Sequence, residues 1–200
     1  MNHTPFDPIR HEAAIRRIDA YNAADPNREF ADGKEQPKEL LYSQRMTDRL
    51  AKFLPDASEA LRLAARCQHI GRWHIARSDY PMNLRGYNNW RRNLRKFHAT
   101  VAAEILTAAG YDAEMIGRVD FLIQKRDLKQ NPDSQSLEDV VCLVFLEYYF
   151  DAFAEKHSEE KLIDILQKTW GKMSDKGREA AHQLPLSDRA FQLIAKALAP

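Results

Sequence analysis

Apolar residues recur three and four positions apart through most of the 200-residue chain, a spacing that predicts helices. A first helix is expected from Asp7-Pro8 to about Ala24, with Asp7 as N-cap and Pro8 at the first helical position. Its apolar stripe is Ile9, Ala13, Ile15, Ile18 and Tyr21. Residues 25–37 carry two prolines and a glycine and read as a loop. A second helix spans about Lys38–Phe53, and a third runs from Ala57 to about Ile70 with Leu61, Ala64, Ala65 and Cys67 inward. Residues 71–88 hold two glycines, a proline and Asn-flanked turns, an irregular excursion of a length that is usually functional. A helix follows from about Asn89 to Ala109, ended by Gly110. Asp112 can cap a helix over about 113–125. Ser136-Leu137-Glu138-Asp139 resembles a capping box and opens a long helix to about Lys156, with Glu138 and Asp139 in its first turn. Ser158 and Ser187 can cap the last helices. The pattern predicts a single all-α domain of about eight helices and no strand. An N-terminal helix (8–24) would precede a core (38–156) and C-terminal helices (158–200).

Composition supports helix over sheet: Ala (26) and Leu (20) are abundant, whereas Val and Thr number five each. The seven glycines form neither G-x-G-x-x-G nor G-x-x-x-x-G-K-[ST], which argues against a Rossmann or P-loop nucleotide site. Cys67 and Cys142 lie in apolar helical stretches without a C-x-x-C partner and read as buried reduced thiols of a cytoplasmic protein. Met1-Asn2-His3-Thr4-Pro5 shows no apolar signal region. The longest apolar run, Val140–Phe150, is broken by Glu147 and is too short to span a membrane.

The net charge of +1 conceals two blocks. Between Arg66 and Lys96 lie eight Lys or Arg (Arg66, Arg72, Arg77, Arg85, Arg91, Arg92, Arg95, Lys96) against one acid, Asp79. Trp73, Tyr80, Tyr87 and Trp90 are interleaved with them. Between Ser134 and Asp164 lie eight acids against Lys156 and Lys161. Arginine forks bind phosphate or carboxylate bidentately, and aromatic rings can stack a base. The first block therefore reads as a site for an anionic small molecule or nucleotide, with RNA as an alternative. The bland alternative is a solvated basic face paired with the acidic block. Glu147, on an otherwise apolar helix, is either ion-paired to one of the arginines of the basic block or serves as a metal ligand or general base facing that block.

His69, His74 and His98 fall in or beside the basic block. His11, in His-Glu-Ala-Ala-Ile, lacks the second histidine of H-E-x-x-H. Leu41-Tyr42-Ser43-Gln44-Arg45-Met46 and Ala64-Ala65-Arg66-Cys67-Gln68-His69-Ile70-Gly71 resemble the HD-domain phosphohydrolase superfamily, as does Lys96-Phe97-His98-Ala99 before an Ala-rich helix. That resemblance implies an HD-like all-helical core and a metal that acidifies the water attacking a phosphoester. The chain departs from the pattern. Tyr42 stands at the first His position, Gln68-His69 replaces His-Asp, and the last metal Asp falls near Val144. Only His98 matches an HD histidine. Either His69, His74, His98 and Glu147 make a different site, with a divalent metal on the histidines, or the fold works without metal.

A more specific resemblance covers nearly the whole chain. Ile18-Asp19-x-x-Asn22-x-x-Asp25-Pro26, Gln68-His69-Ile70-x-Arg72-Trp73 and Arg77-Ser78-x-Tyr80-Pro81 are similar to the family known as domain of unknown function 4202. So are Phe97-His98-Ala99, the run from Leu137 to Tyr148, and Lys168-Thr169-Trp170-x-Lys172-Met173-Ser174. Some fungal relatives carry a glutamyl-tRNA synthetase label. His69-Ile70-Gly71-Arg72 and Lys172-Met173-Ser174-Asp175-Lys176 resemble the two synthetase signatures, but those bind ATP on a Rossmann sheet and no strand is expected before His69. The resulting expectation is an HD-like hydrolase or related enzyme for a phosphorylated or nucleotide-like substrate. His69, His74, His98 and Glu147 would be catalytic. Arg72, Trp73, Arg77, Tyr80, Tyr87, Trp90, Arg91, Arg92 and Arg95 would bind substrate. The alternative is a non-catalytic module for nucleotide, tRNA or protein.

Overall fold

The computed structural model describes residues 6–199, so the expectation about a leader at Met1–Pro5 lies outside them. The chain is all-α. Among the described residues ten α-helices are joined by short 3₁₀ and π turns, and one two-stranded hairpin is added. The described residues fall into two compact units: those up to Asp48 together with Asp56–Arg126, and Arg49–Pro55 together with those from Asp127 on.

In the first unit α1 (Pro8–Asn22) starts where Asp7 accepts the Ile9 and Arg10 N–H groups. Its buried stripe is Ala14, Ile18 and Asn22, whereas Ile9 is exposed. Residues 25–37, expected to be a loop, form the antiparallel hairpin β1 (Arg28–Ala31) and β2 (Lys34–Pro37). Its two-residue turn is Asp32-Gly33, both at positive φ (52° and 77°), the geometry that Asp-Gly tolerates best. The hairpin returns the chain to α2 (Lys38–Phe53), whose residues from Arg49 belong to the second unit. Helix α3 (Glu59–Cys67), capped by Ser58, packs on α1, on α4 (Leu84–Ala108) and on α5 (Ala113–Ile123). Leu61, Leu63, Ala64, Ala65 and Cys67 of α3 are all fully buried. Each leucine contributes about 1.5–3 kcal/mol by leaving water. Arg66, buried beside them, holds Asp19 of α1 bidentately at 2.7 and 2.6 Å. Gly110, at φ +84°, ends α4, and Asp112 caps α5.

Helix α4 starts at Leu84, five residues before the expected point, because the Asn83 side chain accepts the Gly86 N–H. The excursion before it holds two 3₁₀ turns, Arg72–His74 and Arg77–Asp79.

The second unit contains α6 (Pro132–Val144), α7 (Phe150–Ala154), α8 (Glu159–Lys172), α9 (Asp175–Ala181) and α10 (Asp188–Leu198). The expected helix from Ser136 to Lys156 begins a turn earlier, at the Asn131 cap and Pro132, and is interrupted by a π turn over Phe145–Tyr149. Glu138 and Asp139 are therefore buried in the helix body, not first-turn acids. Asp139 instead accepts the backbone N–H and hydroxyl of Ser174, at 2.8 and 2.5 Å, and so fixes the start of α9. Ser158 and Ser187 cap α8 and α10 as expected. No helix among the described residues is long and apolar enough to cross a membrane.

Candidate functional site

The candidate site lies in the first unit, around the end of α3. Gly71, at φ +65°, turns the chain sharply after Ile70. It has no room for a side chain: a β-carbon would stand 2.9 Å from ring atoms of both Tyr21 and Phe97. Its N–H donates to the Asn22 side-chain oxygen at 3.2 Å. This turn leaves His69 facing inward and sends Arg72 back over it.

His69 stacks on Tyr42, with ring centroids 4.0 Å apart and planes within 14°. Arg72 Nη1 lies 3.0 Å from His69 Nε2, and an arginine can only donate. The His69 proton therefore sits on Nδ1, which faces Glu39 Oε2 at 3.5 Å. Arg72 Nε stands 4.0 Å from Glu39 Oε1, and the guanidinium covers the Trp90 ring at 5.0 Å. The Trp90 indole N–H donates to Ile75 O at 3.0 Å, which pins the ring. His98 lies one ring further, with its centroid 6.0 Å from that of His69.

Glu39 was not among the expected site residues. Its place is fixed by Asp25, which accepts the Glu39 backbone N–H at 2.9 Å and also binds Asn27. Burial pushes the Glu39 carboxyl up to about 7, with Arg72 opposing and the Asp25 charge adding to the rise. Burial holds His69 well below the ordinary range, and Arg72, His98 and Arg91 push the same way. His98 is pushed down to about 3, first by burial and then by Arg72 and Arg91, against its bond to Ile70 O. That bond is 2.6 Å from Nδ1, so Nδ1 carries the proton. His98 Nε2 is then a buried lone pair without a hydrogen-bond partner. Burial also pulls Arg72 down. The result is a protonatable carboxyl near neutrality, a second neutral imidazole and one guanidinium, gathered around the neutral imidazole of His69.

The other expected residues divide. Arg91 acts electrostatically on His69, His98 and Arg72. Arg91, Arg92 and Arg95 line, with Leu84, Arg85, Asn88 and Asn89, a shallow depression of about 680 Å³ along α4. Tyr87 is exposed, 5.9 Å from the Trp90 ring. His74 and Trp73 belong to an aromatic cluster with Tyr21, in which His74 also meets Phe97, and Phe97 in turn meets His98 with ring centroids 6.1 Å apart. Arg77 donates to the carbonyls of Tyr80 and Pro81, at 3.0 and 2.9 Å, and the Tyr80 hydroxyl accepts from Asn93. These two residues hold the excursion in place. Glu147 lies in the second unit, where it is ion-paired with Arg49, an arginine outside the basic block.

Among the described residues no group of three or more His, Cys, Asp or Glu side chains could hold a metal ion. The His69 nitrogens face Glu39 and Arg72, His98 Nδ1 is bonded to Ile70 O, and His74 packs against Tyr21, Trp73 and Phe97. A divalent metal on His69, His74 and His98 does not fit this arrangement. Four acids of the second block find these partners within their own unit: Asp139 with Ser174, Asp151 with Ser187, Glu159 with Lys196, and Asp164 with Lys161 and Lys168.

A family model described as Domain of unknown function (DUF4202) matches residues 12–194. No curated protein and no solved structure matches the chain.

Proposed function

The chain belongs to the DUF4202 family, and we propose that it binds a phosphorylated or nucleotide-like anion at Arg72 and Arg91 and transfers a proton through Glu39, against which His69 is held as a neutral hydrogen-bond donor. One observation carries this reading. The guanidinium of Arg72 touches His69, faces Glu39 and lies on Trp90, so an anion bound to it sits against the proton-bearing pair. A carboxyl near 7 is matched to general acid–base work at neutral pH. A base held near 3 is too weak for that task, so His98 Nε2 instead accepts a hydrogen bond from substrate. Hydrolysis is the reaction class the HD resemblance suggests, and the helix order with His98 on α4 supports an HD-like core. No step passes through a metal. A cytoplasmic setting is part of the proposal, supported by two buried cysteines outside any disulfide, of which Cys67 is pushed up to about 12 by burial.

The test is turnover and calorimetric binding on a panel of phosphate monoesters and nucleotides. We expect Glu39→Gln to lower kcat by about 10²–10⁴-fold with little change in KM. Arg72→Lys should raise KM, because an ammonium cannot replace the planar fork. Binding that survives Arg72→Ala, or a panel in which nothing binds, overturns the reading. Binding without turnover leaves a non-catalytic module, the second reading, which the shallow form of the α4 depression favours.

A further inference from the structure

We infer that the first three turns of α4 form a track for the backbone of a single-stranded nucleic acid, which enters the Arg72 site at one end. The inference rests on the anion site proposed above and names its substrate class. Arg85, Asn88, Asn89, Arg91, Arg92 and Arg95 line one continuous depression, and no acidic side chain lines it. A single phosphate or mononucleotide engages one or two guanidinium groups. Arg85, Arg91 and Arg92 along one helix face exceed that, and an extended anion engages them together.

The dimensions agree. From Arg85 to Arg95 the helix rises about 15 Å, room for roughly two or three nucleotides. The groove also supplies what a polynucleotide uses besides charge. Asn88 and Asn89 interrupt the arginines with amides that can donate to sugar and base edges. Tyr87, on the same turns, is 44% exposed and offers a ring face for stacking. It lies next to Trp90, over which Arg72 sits, so track and acid–base centre are continuous. An anionic membrane fits less well. Met82 and Leu84 are exposed at the start of α4, but two aliphatic side chains give little insertion and the amides have no role there. An acidic peptide would match the charge but not the exposed ring.

The experiment is fluorescence anisotropy with the full chain and labelled single-stranded oligonucleotides, competed by mono-, di- and hexanucleotides. Affinity should rise at least tenfold from mononucleotide to hexanucleotide. It should fall with salt at a log–log slope of about −2 to −3, as expected for three or four phosphate contacts. Arg85→Ser with Arg92→Ser should weaken the hexanucleotide at least tenfold and leave the mononucleotide unchanged, because both residues are exposed and Arg91 is the arginine of the track that acts on Arg72. An unaltered melting temperature shows that this variant is folded. Tyr87→Ala should weaken the hexanucleotide severalfold. Affinity independent of chain length, or a hexanucleotide indifferent to Arg85→Ser with Arg92→Ser, overturns the inference. So does equal binding to anionic phosphatidylserine vesicles or to polyglutamate. If the oligonucleotide binds while no mononucleotide does and Arg72→Ala changes nothing, the track stands and the anion-site reading fails.

Discussion

At Gly71 two independent constraints meet: a left-handed φ of +65° and ring atoms of Tyr21 and Phe97 that a β-carbon would approach to 2.9 Å. Gly71→Ala should therefore cost about 2 kcal/mol or more, above what the conformation alone imposes. It should also displace His69 from Tyr42. Urea unfolding measures the first effect, and a shift in the His69 ring resonance measures the second. A variant as stable as the parent would show that the rings yield and that Gly71 does not position the site. Its neighbours differed in how legible they were. His69, Arg72 and His98 stood out because the charge block surrounds them. Glu39 did not, because an acid in the first turn of a helix has an ordinary explanation in the macrodipole. What places it is Asp25, fourteen residues earlier, brought onto the start of α2 by a hairpin. The Asp32-Gly33 pair was the available signal for that hairpin, but the flanking polar residues hid the strand alternation.

At the scale of elements, helix starts followed from short-range chemistry. Asp7, Asp112, Ser158 and Ser187 each accept N–H groups from the turn they open. Interruptions did not. The π turn over Phe145–Tyr149 contains neither Gly nor Pro, so nothing local announces it, and π turns inside α-helices are often found at functional positions. Here the turn carries Glu147, mostly buried and ion-paired with Arg49. Removing one partner of such a pair leaves a desolvated charge, whereas removing both does not. Arg49→Leu should cost about 3–5 kcal/mol, and Arg49→Leu with Glu147→Leu should recover most of that loss. Chemical denaturation of the single and double variants measures this. If the double variant is no more stable than Arg49→Leu, the carboxylate of Glu147 is not the group that suffers.

For the molecule as a whole, the site couples stability to pH in two opposing ways. Glu39 is raised from 4.5 to about 7, so the native state keeps a proton that the unfolded chain loses. Its contribution is full below about pH 4.5 and is lost as pH rises to about 7, a span worth about 3 kcal/mol. His98 is lowered from 6.5 to about 3, so its contribution is full above about pH 6.5 and is lost as pH falls. That span is worth about 5 kcal/mol. His69 is lowered in the same sense. Between about pH 4.5 and 6.5 two histidines outweigh one carboxyl, and stability rises with pH. Above about 6.5 only Glu39 still titrates, and stability falls. The cluster therefore sets a maximum near pH 6.5. Glu39→Gln removes the falling limb, because glutamine is neutral at every pH. The stability difference between Glu39→Gln and the parent, from urea unfolding at about pH 5, 6, 7 and 8, should grow in favour of the variant up to about pH 7 and then level off. Parallel curves over that range would mean that Glu39 ionises alike in the folded and unfolded chain, and it would then lose its place as the proton carrier of the site.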